Sequence, residues 1–318
     1  MFCSETMRTM TDVDALPPAE AQAIRDRLEE IAAKVRTAAS EAHGSPEAVR
    51  ILLATKTQPA ARIRAALEAG FTLIGENRVQ ELVAKAPDLA DVPHEAHLIG
   101  PLQKNKVNHT LRAGAACVQS IDDLAVAQKL SARIETLLHE GAAALAAEAP
   151  GTVRGTLPAA GARQGASGAG EQDGTDAQSG TDEPAAGTEG GSGGSGMAPA
   201  GAVAPVLEVM LQVNTSGEES KSGVAPADAE ALAEQVRVLS HLRIGGLMTI
   251  GFPGATEAEI RPSYADLREL SQRLRETGAL PADATALSMG MSGDYVLAIA
   301  EGATMVRVGS SVFGARGQ

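Results

Sequence analysis

Lys56 ends the run Ile51-Leu-Leu-Ala-Thr55. If that run is a strand, the ammonium is carried to the mouth of an apolar interior, away from the solvent most lysines seek. Desolvation there would lower its pKa and make a nucleophilic amine available near neutrality. Such an amine forms Schiff bases with carbonyl compounds. The alternative, a lysine that ends a strand and snorkels to water, stays open on position alone. Further along, Met291-Ser292-Gly293-Asp294 and Arg307-Val308-Gly309-Ser310-Ser311 each end an apolar run and open a helical pattern. Both offer small backbone that a phosphate dianion can approach closely, with hydroxyl donors beside a helix start. Ordinary capping by Ser292 and Asp294 is the competing reading of each segment alone. Together with Lys56 they point to a phosphate-bearing aldehyde. Arg307 interrupts Met-Val-Arg-Val, and alternation sets it on the same side as Gly309. A guanidinium facing a pyridine nitrogen would keep that nitrogen unprotonated and make a poor electron sink. Alternatively Arg307 pairs with a carboxylate such as Glu76 or Glu208.

These residues need a frame that brings chain-distant strand ends together. Apolar, strand-like runs occur at 51–56, 72–76, 96–100, 116–121, 206–214, 244–250, 287–291 and 305–310, each followed by a turn signal and a helical pattern. Near-continuous apolar strands separated by helices indicate parallel pairing with both faces covered. Eight such units predict an α/β fold, a single (β/α)₈ TIM barrel, with an extra N-terminal helix over 18–43. An open doubly wound sheet would need a Gly-x-Gly-x-x-Gly turn after the first strand, where Ala54-Thr-Lys-Thr-Gln-Pro59 stands instead. In a barrel the active site lies at the carboxyl ends of the strands. Those ends carry Lys56, Glu76 and Asn77, Gln103 and Asn105, Asn214 and Ser216, Met248 and Thr249, Ser292, and Ser310 and Ser311.

Between residues 141 and 204 the composition turns to Ala, Gly, Ser, Thr and acidic residues. Residues 151–204 hold 15 of the chain's 34 glycines. This stretch cannot bury enough apolar area to offset its ordering entropy, so a long disordered insertion is expected between barrel helix 4 and strand 5. Without it 254 of the 318 residues remain, close to the ~250 of a typical barrel. Residues 1–17 are read as a flexible N-terminus and 18–318 as the barrel domain that the insertion interrupts. A net charge of −13 and only six aromatic side chains argue against a nucleic-acid partner. No stretch approaches the ~18 apolar residues of a membrane helix, and no secretion signal is read at the start, so a cytoplasmic protein is expected. Cys3 and Cys117 are too few and too far apart for a disulfide framework or a thiolate metal cluster, and no metal is expected. Cys117 reads as a small buried hydrophobe.

The segments Ala54-Thr-Lys-Thr-Gln-Pro59, Gly75-Glu-Asn-Arg-Val-Gln-Glu81, His97-Leu-Ile-Gly-Pro-Leu-Gln-Lys-Asn-Lys106, Ser120-Ile-Asp122, Gln212-Val-Asn-Thr-Ser-Gly-Glu-Glu-Ser-Lys-Ser-Gly223, Gly246-Leu-Met-Thr-Ile250, Leu287-Ser-Met-Gly-Met-Ser-Gly-Asp294 and Met305-Val-Arg-Val-Gly-Ser-Ser-Val-Phe-Gly-Ala-Arg316 resemble, in order and spacing, the pyridoxal phosphate homeostasis protein family, known as YggS or PROSC. The resemblance implies a fold-type III pyridoxal phosphate barrel, like the N-terminal domain of alanine racemase, with the cofactor held as an internal aldimine on Lys56. It places Asn77 beside the cofactor, Ser292, Gly309 and Ser310 in the phosphate cradle, and Arg307 opposite the pyridine nitrogen. Ser310 stands where the family usually has threonine and keeps the hydroxyl; Arg78 stands where tyrosine is frequent.

The function so implied is intracellular storage, buffering or delivery of pyridoxal 5'-phosphate, apo pyridoxal phosphate enzymes being the recipients, with no catalytic residues. Racemases of this fold draw a second base from an added β-domain, for which the chain, ending at Gln318, leaves no room; a monomer is expected. The competing reading is a single-domain enzyme, a weak amino-acid racemase, lyase or aldolase, with Glu76, His97 or Lys106 as base. Tyr264 and Tyr295 read as packing or surface residues. A third reading is an interaction module acting through the acidic insertion.

Overall fold

The computed structural model describes residues 16–140, 206–218, 221–251 and 256–314. The expected flexible N-terminus, apart from its last two residues, and the expected insertion at 141–204 lie outside them. Eight parallel strands close into a barrel in sequence order. They are β1 (Arg50–Ala54), β2 (Leu73–Glu76), β3 (Glu95–Leu98), β4 (Cys117–Ile121), β5 (Leu207–Gln212), β6 (Leu242–Met248), β7 (Ala286–Met291) and β8 (Met305–Val308). β8 returns to β1 in the register Leu53↔Val308. Around them run α1 (Pro18–His43), α2 (Ala60–Glu68), α3 (Val79–Leu89), α4 (Val107–Arg112), α5 (Leu124–His139), α6 (Ala229–Arg237), α7 (Glu257–Glu276), α8 (Tyr295–Ala300) and α9 (Ser310–Phe313). The eight strands and the extra first helix are those the sequence predicts.

Alternation along each strand divides the side chains between two layers. Leu53, Ile74, Leu98, Val118, Val209, Leu247, Val306 and Val308 face outward into the main core beneath the helices. The barrel interior holds two smaller apolar clusters, one of Leu52, Leu73, Ile99 and Met305, the other of Cys117, Met210 and Met248. Cys117 is buried as expected, and burial pushes its thiol well up, which makes it unreactive.

The predicted strands overrun the observed ones mostly at their carboxyl ends: β1 stops at Ala54 instead of 56, β3 at Leu98 instead of 100, β8 at Val308 instead of 310. Apolar and small residues continue past the last ladder bond: Thr55, Ile99 and Gly100 stay buried there, whereas Lys56 and Ser310, which end their runs, are exposed.

Helix α1 starts with Pro18, whose missing N–H costs nothing at a helix start, and stops at Gly44, which adopts φ 73°. It buries Ile24, Leu28, Ile31 and Val35 at helical spacing. Each such side chain contributes about 1.5–3 kcal/mol of transfer free energy before ordering costs. The helix braces the last part of the barrel: Arg27 donates to the carbonyl of Val312 at 2.6 Å, and Arg62 of α2 donates to that of Phe313 at 2.6 Å. Short α9, which opens at Gly309 and Ser310, is thereby held from outside.

Candidate functional site

The carboxyl ends of β7, β8, β1 and β2 bring the sequence-predicted residues to one sector of the barrel mouth. Ser292 follows β7, and its hydroxyl oxygen accepts the backbone N–H groups of Gly309 at 3.0 Å and Ser311 at 3.3 Å, and the Ser311 hydroxyl at 3.2 Å. Three donors from the start of α9 thus converge on one oxygen, the geometry a phosphate oxygen requires. Gly309 lies against the end of β1. A Cβ there would come within 2.8 Å of the Ala54 carbonyl oxygen, so only glycine lets the two strand ends meet. Ser310 is exposed at the same turn.

The β7 loop is braced from behind. Asp294 accepts the Met291 N–H at 2.5 Å and the Tyr264 hydroxyl at 2.9 Å. Tyr264 is fully buried, and burial, followed by the nearby Asp294 carboxylate, pushes its phenol far above the ordinary tyrosine range. The phenol therefore serves as a fixed donor. Tyr264→Phe is expected to lower stability by about 1 kcal/mol, the net worth of one buried hydrogen bond, and to weaken phosphate retention through the loosened loop. Urea unfolding and phosphate-ester binding would measure the two effects. Equal midpoints and affinities would remove Tyr264 from the brace.

Lys56 departs from the expectation that it would be withdrawn from solvent. It follows β1, and its side chain is exposed, because Thr55 takes the buried position. The Thr55 hydroxyl donates to Glu76 Oε1 at 2.6 Å. At Thr57 the chain enters the left-handed region with φ 62°, which is rare for a β-branched residue and costs roughly 1–3 kcal/mol. Side chains of α3 hold that turn: Glu81 Oε2 accepts the Thr57 N–H at 2.7 Å, and Lys85 Nζ donates to the Thr55 carbonyl at 2.8 Å and to Glu76 Oε1 at 2.7 Å. The amine is therefore presented to the mouth on a strained but pinned loop.

Glu76 faces the helices, not the barrel interior. Ile74 and Glu76 share the outer phase of β2, while Leu73 and Gly75 point inward. Its carboxyl is 1% exposed; burial raises its pKa although the bonds from Lys85 and Thr55 oppose this. It can be neither the substrate base nor the partner of Arg307. Glu208, the other proposed partner, pairs with Arg243 instead. Arg307 lies inside the barrel and donates to Ser288 Oγ at 2.9 Å and to the Thr249 carbonyl at 2.7 Å, both neutral acceptors. Burial lowers its pKa to about 10, so the cation persists at neutral pH.

Asn77 is half-buried just past β2. Asn214 and Ser216 serve the loop after β5 itself: Asn214 donates to the Glu218 carbonyl at 2.8 Å and accepts the Ser216 hydroxyl at 2.8 Å. Gln103 and Asn105 are exposed, and Lys106 ends a short 3₁₀ turn after β3. His97 is completely buried, its ring nitrogens 2.7 Å from Glu95 Oε1 and from Gln119 Nε2. Desolvation lowers its pKa, with Glu95 opposing. Below about pH 6.5 the unfolded chain takes up a proton that the folded ring resists, so stability falls as the solution is acidified. Wild-type protein is expected to melt lower at pH 5 than at pH 7, and His97→Gln to flatten that difference. Parallel melting curves for the two proteins would contradict it.

Ser288, Gln119, Thr249, Lys85 and Tyr264 make hydrogen bonds around the candidate site that sequence reasoning passed over or left unassigned. Ser288 and Gln119 left a signal, since each is polar at an inward phase of an apolar strand. Among the described residues no group of His, Cys, Asp and Glu is arranged to hold a metal ion, and no helix is long and apolar enough to cross a membrane.

A closed barrel of eight parallel strands in sequence order, wrapped by helices, is the fold class shared with the alanine racemase barrel. A family profile described as alanine racemase, N-terminal domain, matches residues 198–317. The chain is 36% identical to the pyridoxal phosphate homeostasis protein of Pseudomonas aeruginosa over 92% of its own length and 96% of that protein's. It belongs to the pyridoxal phosphate homeostasis protein family. Among solved structures, a protein of unknown function from Bifidobacterium adolescentis superposes with a TM-score of 0.70 at 30% identity, covering 94% of this chain and 98% of that one. PipY of Synechococcus elongatus, solved with pyridoxal phosphate bound, superposes with a TM-score of 0.63 at 28% identity, covering 92% of this chain and all of that one.

Proposed function

We propose that the barrel mouth binds pyridoxal 5'-phosphate, attached through Lys56, and that the protein holds and releases the cofactor for apo-enzymes without a dedicated turnover of its own. The observation that carries this reading is the convergence of the Gly309 and Ser311 N–H groups on Ser292, at the strand end next to the one that carries Lys56. Gly309, Ser310 and Ser292 hold the phosphate, Asn77 lies beside the ring, and Arg307 faces its nitrogen as a permanent donor. Bound there, the cofactor supplies an aldehyde that condenses with amines. Arg307, donor only and cationic at neutral pH, leaves the ring nitrogen unprotonated and limits electron withdrawal from a bound amino acid.

The weak-chemistry half of the reading is supported by the placement of two of the three candidate bases, Glu76 and His97, and of Tyr264. Glu76 points outward, His97 is sealed between Glu95 and Gln119, and the Tyr264 hydroxyl is committed to Asp294. A base must reach the substrate proton to within about 3 Å.

The test uses the full chain. Added pyridoxal phosphate should give a yellow protein, and borohydride reduction followed by peptide mapping should place the adduct on Lys56. The loaded protein should activate an apo pyridoxal phosphate enzyme, and α-protons of a broad amino-acid panel should exchange with deuterated water no faster than with the free cofactor. Fast stereospecific exchange would establish the racemase or lyase reading instead; no uptake at all would end both.

A further inference from the structure

The polar row that divides the two apolar clusters of the barrel interior has a direction. Arg307 can only donate, so the Ser288 hydroxyl oxygen, 2.9 Å from Nη1, accepts. The Ser288 proton is then free for Gln119 Oε1, 2.7 Å away. That fixes the amide: its Nε2 lies 2.7 Å from His97 Nδ1 and donates to it. With Nδ1 accepting, the ring proton sits on Nε2, 2.7 Å from Glu95 Oε1. The other Glu95 oxygen receives Nη2 of Arg50 at 2.5 Å. Every bond from Arg307 to Glu95 points the same way, and Arg50 donates to Glu95 from the other side. The row ends on Glu95 and Arg50, the first residues of β3 and β1, at the barrel mouth opposite Lys56.

Ser288, Gln119 and His97 come from three different strands and are all completely buried. Each would be replaced by an aliphatic side chain at less desolvation cost, unless the groups they satisfy matter. What they satisfy is a buried guanidinium with no carboxylate in contact among the described residues, and because the side-chain polar atoms of Ser288, Gln119 and His97 all have partners, the row rigidifies these members. We propose that Ser288, Gln119 and His97 are positioning residues: they hold the Arg307 guanidinium in one orientation toward the cofactor ring and connect its charge to the Glu95–Arg50 pair at the far mouth. The proposal rests on the reading of the near mouth as a pyridoxal phosphate site, but its first readout needs no cofactor.

That readout is nitrogen NMR of histidine-labelled, cofactor-free full chain. Wild-type His97 should be a neutral ring protonated on Nε2 and accepting at Nδ1. Ser288→Ala touches only Gln119 and Arg307, yet should shift the His97 Nδ1 resonance through the amide. Gln119→Glu replaces the amide donor with an acceptor, so His97 should take a second proton and remain cationic at pH 7. The charged groups that act on the ring are Glu95 on its own strand and Arg50 on β1, and neither is altered by these changes. With cofactor added, Ser288→Ala and Gln119→Met should raise the dissociation constant for pyridoxal phosphate about five-fold, the factor that one buried hydrogen bond is worth, and displace the pH profile of the visible band.

Identical His97 resonances in Ser288→Ala and wild type, or a neutral ring in Gln119→Glu, would overturn the directed row. Wild-type affinity and band profile in both loaded variants would overturn the positioning role. Wild-type protein that takes up no pyridoxal phosphate would instead overturn the functional reading on which the role depends, while the resonances still judge the row.

Discussion

Lys56→Ala is expected to leave the fold intact and to abolish the borohydride-stable adduct. The side chain is exposed, and the turn that carries it is pinned through the Thr57 N–H and the Thr55 carbonyl, neither of which the substitution removes. Stability should therefore change by no more than about 0.5 kcal/mol, as for other surface positions. Retention of the cofactor is a different matter. Attachment at two points makes the second intramolecular and raises retention by roughly 10²–10⁴ over either alone. With the amine gone, the phosphate contacts at Gly309, Ser310 and Ser292 act by themselves, and the cofactor should be lost on gel filtration. Lys106→Ala is the control, since that lysine lies in a separate turn after β3 and should keep full loading. An adduct that survives in Lys56→Ala on another lysine would refute the assignment and, with it, the role given to the strained turn.

The barrel was legible because parallel strands buried on both faces read as apolar runs whatever their neighbours, and eight such runs separated by helical spacing admit few architectures. The strand ends were less so. Hydrophobicity reports burial, not ladder bonding, and the mouth buries Thr55 beyond the last bond of β1, so the run reads too far, up to the exposed Lys56. The facing of Glu76 follows from strict alternation with Leu73 and Gly75, yet a carboxylate at a strand end reads as a mouth residue until its partners Lys85 and Thr55 are known. Those partners lie on α3 and on the loop after β1, a tertiary arrangement that spacing does not encode. Arg307 was recognisable as an inward cation. Its real acceptors, a serine hydroxyl on neighbouring β7 and a backbone carbonyl just past β6, carry no charge by which a search for ion pairs could find them.

Gly100→Ala is expected to damage both fold and site, through a contact no motif reveals. A Cβ at Gly100 would sit 2.1 Å from the carbonyl oxygen of Asn77 and 2.9 Å from its Cα. These are backbone atoms, so no rotamer change can relieve the clash. Nor can Gly100 retreat: its own carbonyl accepts the Ser120 hydroxyl at 2.7 Å, and the preceding Ile99 N–H is bonded to the Glu76 carbonyl at 2.9 Å. The segment that gives way must be the one carrying Asn77, and overpacking of this kind costs about 3 kcal/mol. Because Asn77 is assigned to the cofactor's side, affinity for pyridoxal phosphate should fall together with stability. Gly293→Ala separates general glycine loss from this specific collision, since nothing lies within 4 Å of a Cβ there; its unfolding midpoint should match wild type. Chemical denaturation and cofactor titration on the three proteins would decide the matter. A Gly100→Ala protein with unchanged midpoint and affinity would mean that the β2 and β3 ends are not seated against each other as described, and the placement of Asn77 would fall with them.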